Sequence, residues 1–268
     1  MKVSSDSLFH FTDSLLNILS ILEIKFKLSY CREKYTLNGT SDENIFPMIT
    51  FCDLPLSLTK DHISKYGNYA IGMKKSWGIK NKLNPVIYIE ENSVIASDLD
   101  KSLSNLTELF EQFGKLSDSK SPKMKELFFE MFPNLSETTD VNLNIFRYLK
   151  NYQGTLHRKN KTIKNYRFYD EREWRFVPEM KDKRIKTHLT EQQYQTFRKK
   201  SKKKPLIDSI TLDFSASDID YLIVKSAKDI PRLIKKIQSI NNLAKNGDQL
   251  LELTTKIFTV EQLNKDFQ

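Results

Sequence analysis

Residues 8–12, LFHFT, and residues 47–53, PMITFCD, are short apolar runs bounded by turn-forming residues, and each reads as a buried strand. The same signal recurs at Tyr69–Met73 and Pro85–Ile89, then late in the chain at Trp174–Val177, Ser209–Phe214, Tyr221–Lys225 and Lys256–Val260. Between the two groups the period changes. After LFHFT, Asp13 can cap a helix carrying Leu15, Leu16, Ile18, Leu19 and Leu22 at helical spacing. Further amphipathic helices are expected at Lys101–Leu116, Met124–Phe132, Val141–Tyr152 (ended at Gly154) and Ile230–Leu243. A polar turn of helix is expected at Asp61–Lys65. Strands at both ends and helices between them predict an α+β fold whose central sheet joins distant segments, with a helical insertion at about residues 100–153. With 7 Gly, 8 Pro and no repeat or linker, residues 1–268 read as one domain.

The chain has 268 residues, of which 39% are hydrophobic and 11% aromatic, which excludes global disorder. No apolar run has the roughly 18–20 residues that cross a bilayer, and the start lacks the order of a secretory signal, so a cytoplasmic protein without a membrane partner is expected. Cys31 and Cys52 are too few for a disulfide framework. The net charge of +9 is uneven: Leu156–Lys204 holds 17 basic and 6 acidic residues, net +11, and the remainder nets −2. A basic segment attracts phosphate backbones, and it is equally common as a solvated face.

Three places hold polar residues where a strand would favour aliphatic ones: His10 with Thr12, the stretch from Met48 to Gly72, and YDEREWRFVP at 169–178. Taken singly, each has a plain structural explanation, such as a hydrogen-bonded core histidine or exposed ion pairs. Spacing sharpens the third. In a strand Glu171 and Glu173 project on one face, and two carboxylates together can anchor sugar hydroxyls and stabilise an oxocarbenium-like centre. No metal-ligand spacing, phosphate loop or nucleophile elbow is present, so no metal is expected.

At these segments the sequence resembles the abortive-infection AbiGi family of phage-resistance proteins. Its members carry L-F-H-F-T, then F-C-D-x-P-L-S with a following H, Y-G-x-Y-x-I-G, W-G and N-P-V-x-Y, and finally Y-D-E-R-E-W-R. The match runs from Leu8 to about Tyr88 and from Tyr169 to Pro178. The motif order is also similar to ADP-ribosyltransferases of the His-Tyr-Glu type, and ITFCDLPLS resembles the Y-F-A-D…S-K-S stretch of poly(ADP-ribose) polymerases. That likeness implies a split central sheet around an NAD cleft. His10 and Thr12 would hold the ribose and amide, Phe51 and Tyr66 would sandwich nicotinamide, and Tyr69 would join the NAD-binding set. Glu173 falls on the catalytic Glu, and Glu171 completes an E-x-E. The pattern assigns no role to His62, and it has a Phe where a stacking Tyr is usual. The implied function is an NAD-dependent mono-ADP-ribosyltransferase, a phage-defence effector held by a neutralising antitoxin protein. The basic segment, with Lys199, Lys200, Lys202, Lys203 and Lys204, suggests RNA or DNA as acceptor. The rival expectation is a non-enzymatic antitoxin of the same fold that binds a partner toxin.

Overall fold

The computed structural model describes residues 4–118, 120–158, 161–179, 185–200, 206–244 and 246–266. Eight strands share one sheet: β1 (Ser7–Thr12), β2 (Ser29–Leu37), β3 (Thr40–Cys52), β4 (Tyr69–Lys74), β5 (Asn84–Pro85), β6 (Glu173–Phe176), β7 (Ile219–Val224) and β8 (Ile257–Thr259). They lie in the order β8-β7-β4-β1-β3-β6-β5, with β2 paired to β3 as a long hairpin. The pairs are antiparallel except β7–β8. Segments from both ends of the chain therefore meet in one continuous sheet, where the transferase likeness implies a split one.

Seven helices position the site: α1 (Leu15–Ile24), α2 (Thr59–Tyr66), α3 (Val94–Ser117), α4 (Pro122–Phe146), α5 (Glu191–Lys200), α6 (Ile230–Ser239) and α7 (Val260–Asp266). The cap of α1 is Ser14, whose hydroxyl accepts from the Asn17 N–H, rather than Asp13. The helical middle holds two helices instead of three. Pro133 costs α4 a backbone donor, yet the apolar stripe Phe128, Phe132, Leu135 runs through it, so packing outweighs a penalty of about 3 kcal/mol. The chain then turns to strand at Leu149–Asn151, parallel to Ile87–Ile89, and the basic stretch 158–167 belongs to a hairpin of Gln153–Arg158 with Lys161–Arg167.

The register decides which side chains share a face. On one face lie Leu8, His10, Thr12, Phe51, Tyr69 and Ile71, and there α1 and α6 complete a large apolar cluster with Leu22, Trp77 and Leu233. The opposite face has two smaller clusters. Phe9, Ala70 and Ile223 pack under Ile63 of α2 and Leu263 of α7, while Phe46 and Met48 pack under Ala96, Phe146 and Leu149. Gly67 ends α2 at φ 124°, where a Cβ would lie 2.2 Å from the Thr12 carbonyl oxygen, so only glycine joins α2 to β4 this closely.

Candidate functional site: a buried charge network

Between the two smaller clusters, β3 and β6 set Cys52 opposite Glu173 and Thr50 opposite Arg175, and the gap is filled by charge. Glu173 is 4% exposed and Arg175 0%. Arg175 Nε donates to Glu173 Oε1 at 2.7 Å, its Nη1 donates to the Arg147 carbonyl at 2.6 Å, and its Nη2 is 2.9 Å from Glu33 Oε2. The other Glu173 oxygen takes Lys150 Nζ at 2.5 Å. Lys150 also reaches Glu171 Oε2 at 3.1 Å, and the remaining oxygen of Glu171 accepts a short hydrogen bond from the Tyr66 hydroxyl. Tyr88 accepts from the Glu173 backbone N–H at 2.8 Å.

Burial opposes each of these charges, and the partners decide the balance. Burial disfavours the Glu173 carboxylate, but Arg175 and Lys150 outweigh it and hold the group well below the usual range. Lys150 is likewise disfavoured by burial and then held well above its ordinary pKa by Glu173, Glu33 and Glu171. Burial and Glu171 push the Tyr66 and Tyr166 hydroxyls up. His62 is stacked on Tyr66 with ring centres 4.7 Å apart, and its Nε2 is 3.0 Å from Cys52 Sγ. Burial lowers the His62 pKa to about 4, so the ring is neutral at physiological pH. Burial, then Glu171 and Glu173, raise the Cys52 thiol well above its ordinary value, which leaves it protonated and a poor nucleophile. At the rim the exposed Arg158 lies over the Tyr66 ring at 4.5 Å, and Lys65 lies 4.7 Å from the Tyr166 ring centre.

The expected site residues divide between the two faces. Tyr66, Glu171 and Glu173 come together. His10 is on the other face, with Nδ1 2.9 Å from the Thr50 carbonyl and its ring against Phe26 and Phe51. Phe51 is 1% exposed and locked among Phe26, Trp77 and His10, so it is a core residue with no ring face free for nicotinamide. Thr12 accepts from Asn17 Nδ2 at 2.6 Å, and Tyr69 donates to Asp229 at 3.2 Å. NAD therefore does not fit the arrangement the resemblance implies: its two halves are separated by the sheet. Glu171 and Glu173 do not alternate along one strand either. Glu171 closes a 3-10 turn, and Arg172 at φ 45° precedes β6; the two carboxylates meet through Lys150. Lys199 is exposed at the end of α5, which Lys200 terminates, while Lys202, Lys203 and Lys204 lie outside the described residues.

Sequence reasoning missed Lys150, Arg158, Glu33 and the pairing of His62 with Cys52; it placed Arg175 among exposed ion pairs and Tyr166 among base-stacking rings, whereas both are buried at the site. Lys150 gave no sequence signal, since it stands in RYLKNYQ with no acidic neighbour and only the fold brings Glu171 and Glu173 to it. Among the described residues no group of three or more His, Cys, Asp or Glu is placed to hold a metal, and no helix is long and apolar enough to cross a membrane.

The chain is thus a mixed α/β protein with a buried charge network on one face of its sheet, and sequence comparison supplies the family. Residues 24–225 match the family model described as "Putative abortive phage resistance protein AbiGi, antitoxin", and the chain belongs to that family. A relative from Lactococcus lactis subsp. cremoris, called "Abortive phage resistance protein AbiGi", is 27% identical over 249 residues, covering 86% of this chain and 92% of its own. No solved structure matches the chain significantly.

Proposed function

We propose that this chain serves abortive phage resistance as the non-catalytic, partner-binding component, an antitoxin that neutralises a toxin protein. The observation that carries the reading is the state of Glu173: each carboxylate oxygen already holds a cation, Arg175 on one and Lys150 on the other, in a buried setting. A carboxylate that stabilises developing positive charge has to face the reacting atoms, and a buried one held between two cations presents them little net negative charge. The antitoxin wording of the family model points the same way. The test is calorimetry with NAD and an assay of NAD consumption by the purified chain, with and without RNA, beside co-expression with the toxin of the same defence system. Neutralisation of that toxin without NAD binding or consumption is expected, and NAD consumption that Glu173→Gln abolishes would overturn the reading.

A second reading keeps the chain as an NAD-dependent ADP-ribosyltransferase acting on nucleic acid. One observation favours it: Cys52, His62, Tyr66, Glu171 and Glu173, all drawn from the motifs that carry the resemblance, converge on one face beside the exposed Arg158. That reading requires the Lys150 bridge to open when substrate binds, and the same NAD assay decides between the two.

A further inference from the structure

The helices α3 and α4 form an arm that the sheet covers only at its base, where Ala96 and Phe146 are buried. Along α3 the apolar residues Leu99, Leu103, Leu106, Phe110 and Phe113 alternate steps of four and three, and α4 answers with Phe128, Phe132 and Leu135. This is the seam of an antiparallel coiled coil. The two helices leave further apolar side chains uncovered. Leu109, Met124, Leu127 and Met131 are 41–45% exposed, Phe132 is 39% exposed and Phe129 72%, a concentration of Met and Phe typical of interaction surfaces.

From this geometry we infer that the arm is a dimerisation element, and that its occupant is the arm of a second copy of this chain, laid antiparallel to complete a four-helix bundle. Two observations select that occupant. The first is area: helices of 24 and 25 residues are about 36 Å long, so a two-helix face of roughly 20 Å width offers about 700 Å² per copy, close to the ~800 Å² of a stable interface. The second is charge. The tip, residues 115–125, carries Lys115, Lys120, Lys123 and Lys125 against Asp118, net +3, whereas the shaft, 94–114 with 126–146, holds eight acidic residues against Lys101, net −7. Antiparallel packing puts each basic tip on the partner's acidic shaft, and a two-fold axis makes the match reciprocal, while parallel packing would set tip on tip. The inference is independent of the antitoxin reading, because none of the arm's exposed apolar residues takes part in the charge network.

Sedimentation equilibrium of the full chain tests it, with the variant Leu127→Lys/Met131→Lys. Both side chains are exposed in the single chain, so far-UV circular dichroism and the melting transition of the monomer should stay unchanged. A dimer is expected for the natural chain, with a dissociation constant raised at least about a hundredfold in the variant. Cysteines introduced as Ser97→Cys and Ser121→Cys should cross-link base to tip between copies, while tip-to-tip cross-links would overturn the antiparallel packing. A natural chain that stays monomeric at every concentration overturns the proposal. So does a monomer whose Leu127→Lys/Met131→Lys variant loses only toxin binding, which would give the arm to that partner instead.

Discussion

The face of the sheet that carries Leu8, Phe51 and Trp174 is sealed by α1 and α6 into one apolar cluster, whereas the opposite face has two clusters parted by Glu33, Lys150, Glu171, Glu173 and Arg175. The first face gains stability in proportion to the apolar area it removes from water. The second gains little net stability from its ion pairs, since desolvation offsets most of their attraction, but it loses heavily when one member is removed. What differs is the response to mutation. The apolar face tolerates an imperfect neighbour at graded cost, while the charged face is all-or-none.

The largest effect should come from splitting the network. Arg175→Met leaves the buried Glu173 and the half-buried Glu33 with too little positive charge, a loss of about 3–5 kcal/mol in urea unfolding. Glu173→Ala leaves Arg175 with Glu33 alone and Lys150 with Glu171 alone, so a lost activity in that variant needs a stability control. The triple change Glu33→Met/Arg175→Met/Glu173→Leu removes partners together and should recover most of the loss, which no cavity-forming variant of Phe51 can do. If Arg175→Met alone unfolds at the natural midpoint, the network is not buried as described.

Next in size is acid sensitivity centred on His62. Its folded pKa of about 4 lies below the unfolded value near 6.5, so below pH 6.5 the unfolded chain takes up the proton first. Stability should therefore fall between pH 6.5 and 4, by up to about 3 kcal/mol for this group. Burial lowers the His10 pKa as well, in the same direction and on the other face. The depressed Glu173 works in a lower window: its contribution persists as pH falls to the unfolded carboxylate range and is lost as pH falls through its folded value. Urea midpoints from pH 7 to 4 for the natural chain and His62→Phe separate the two, since the variant should show a visibly flatter upper limb. An unchanged profile would place the ring in water.

The same contrast explains what the sequence could and could not reveal. The strands of the apolar face were legible, because LFHFT and PMITFCD are buried runs with turn residues at their ends. The hairpin formed by β2 with the outer half of β3 was not. It carried a signal that went unread, since Asn38 and Gly39, at φ 49° and 80°, are the pair a two-residue hairpin turn favours, but the polar residues around them obscured the alternation of Tyr35 and Leu37. At the site, Glu171 and Glu173 were found for a reason that the left-handed Arg172 cancels: the period of two fails there, and proximity arises through Lys150, 21 and 23 residues away. His10 and Glu173 read as partners by motif order, yet parity along β1, β3 and β6 sends them to opposite faces, and parity depends on a register that only the folded sheet fixes.

A smaller change probes the rim of the network. Tyr66→Phe removes one donor from Glu171 while Lys150 remains, so about 1–2 kcal/mol should be lost, less than for Arg175→Met. Stacking on His62 survives in the variant, which confines the change to the hydroxyl. A loss as large as that of Arg175→Met would mean that Glu171 and Glu173 rise and fall as one unit.

The smallest effect is expected where the same chemistry is met in water. Arg32 on β2 lies 2.6 Å from Glu43 and 2.5 Å from Glu191 of α5, a geometry as close as that of Arg175 with its two glutamates. The Arg32 side chain is 50% exposed, however, against 0% for Arg175. Solvent screens the attraction, and ordering two long side chains opposes it, so exposed pairs contribute about 0–1 kcal/mol. Arg32→Ala should therefore shift the melting midpoint by less than ~2 °C, and added salt should erase even that. Two arginines with equal contacts and unequal burial thus form an internal control. If Arg32→Ala destabilised the chain as much as Arg175→Met, contact geometry rather than desolvation would govern both, and the division between the two faces would lose its physical basis.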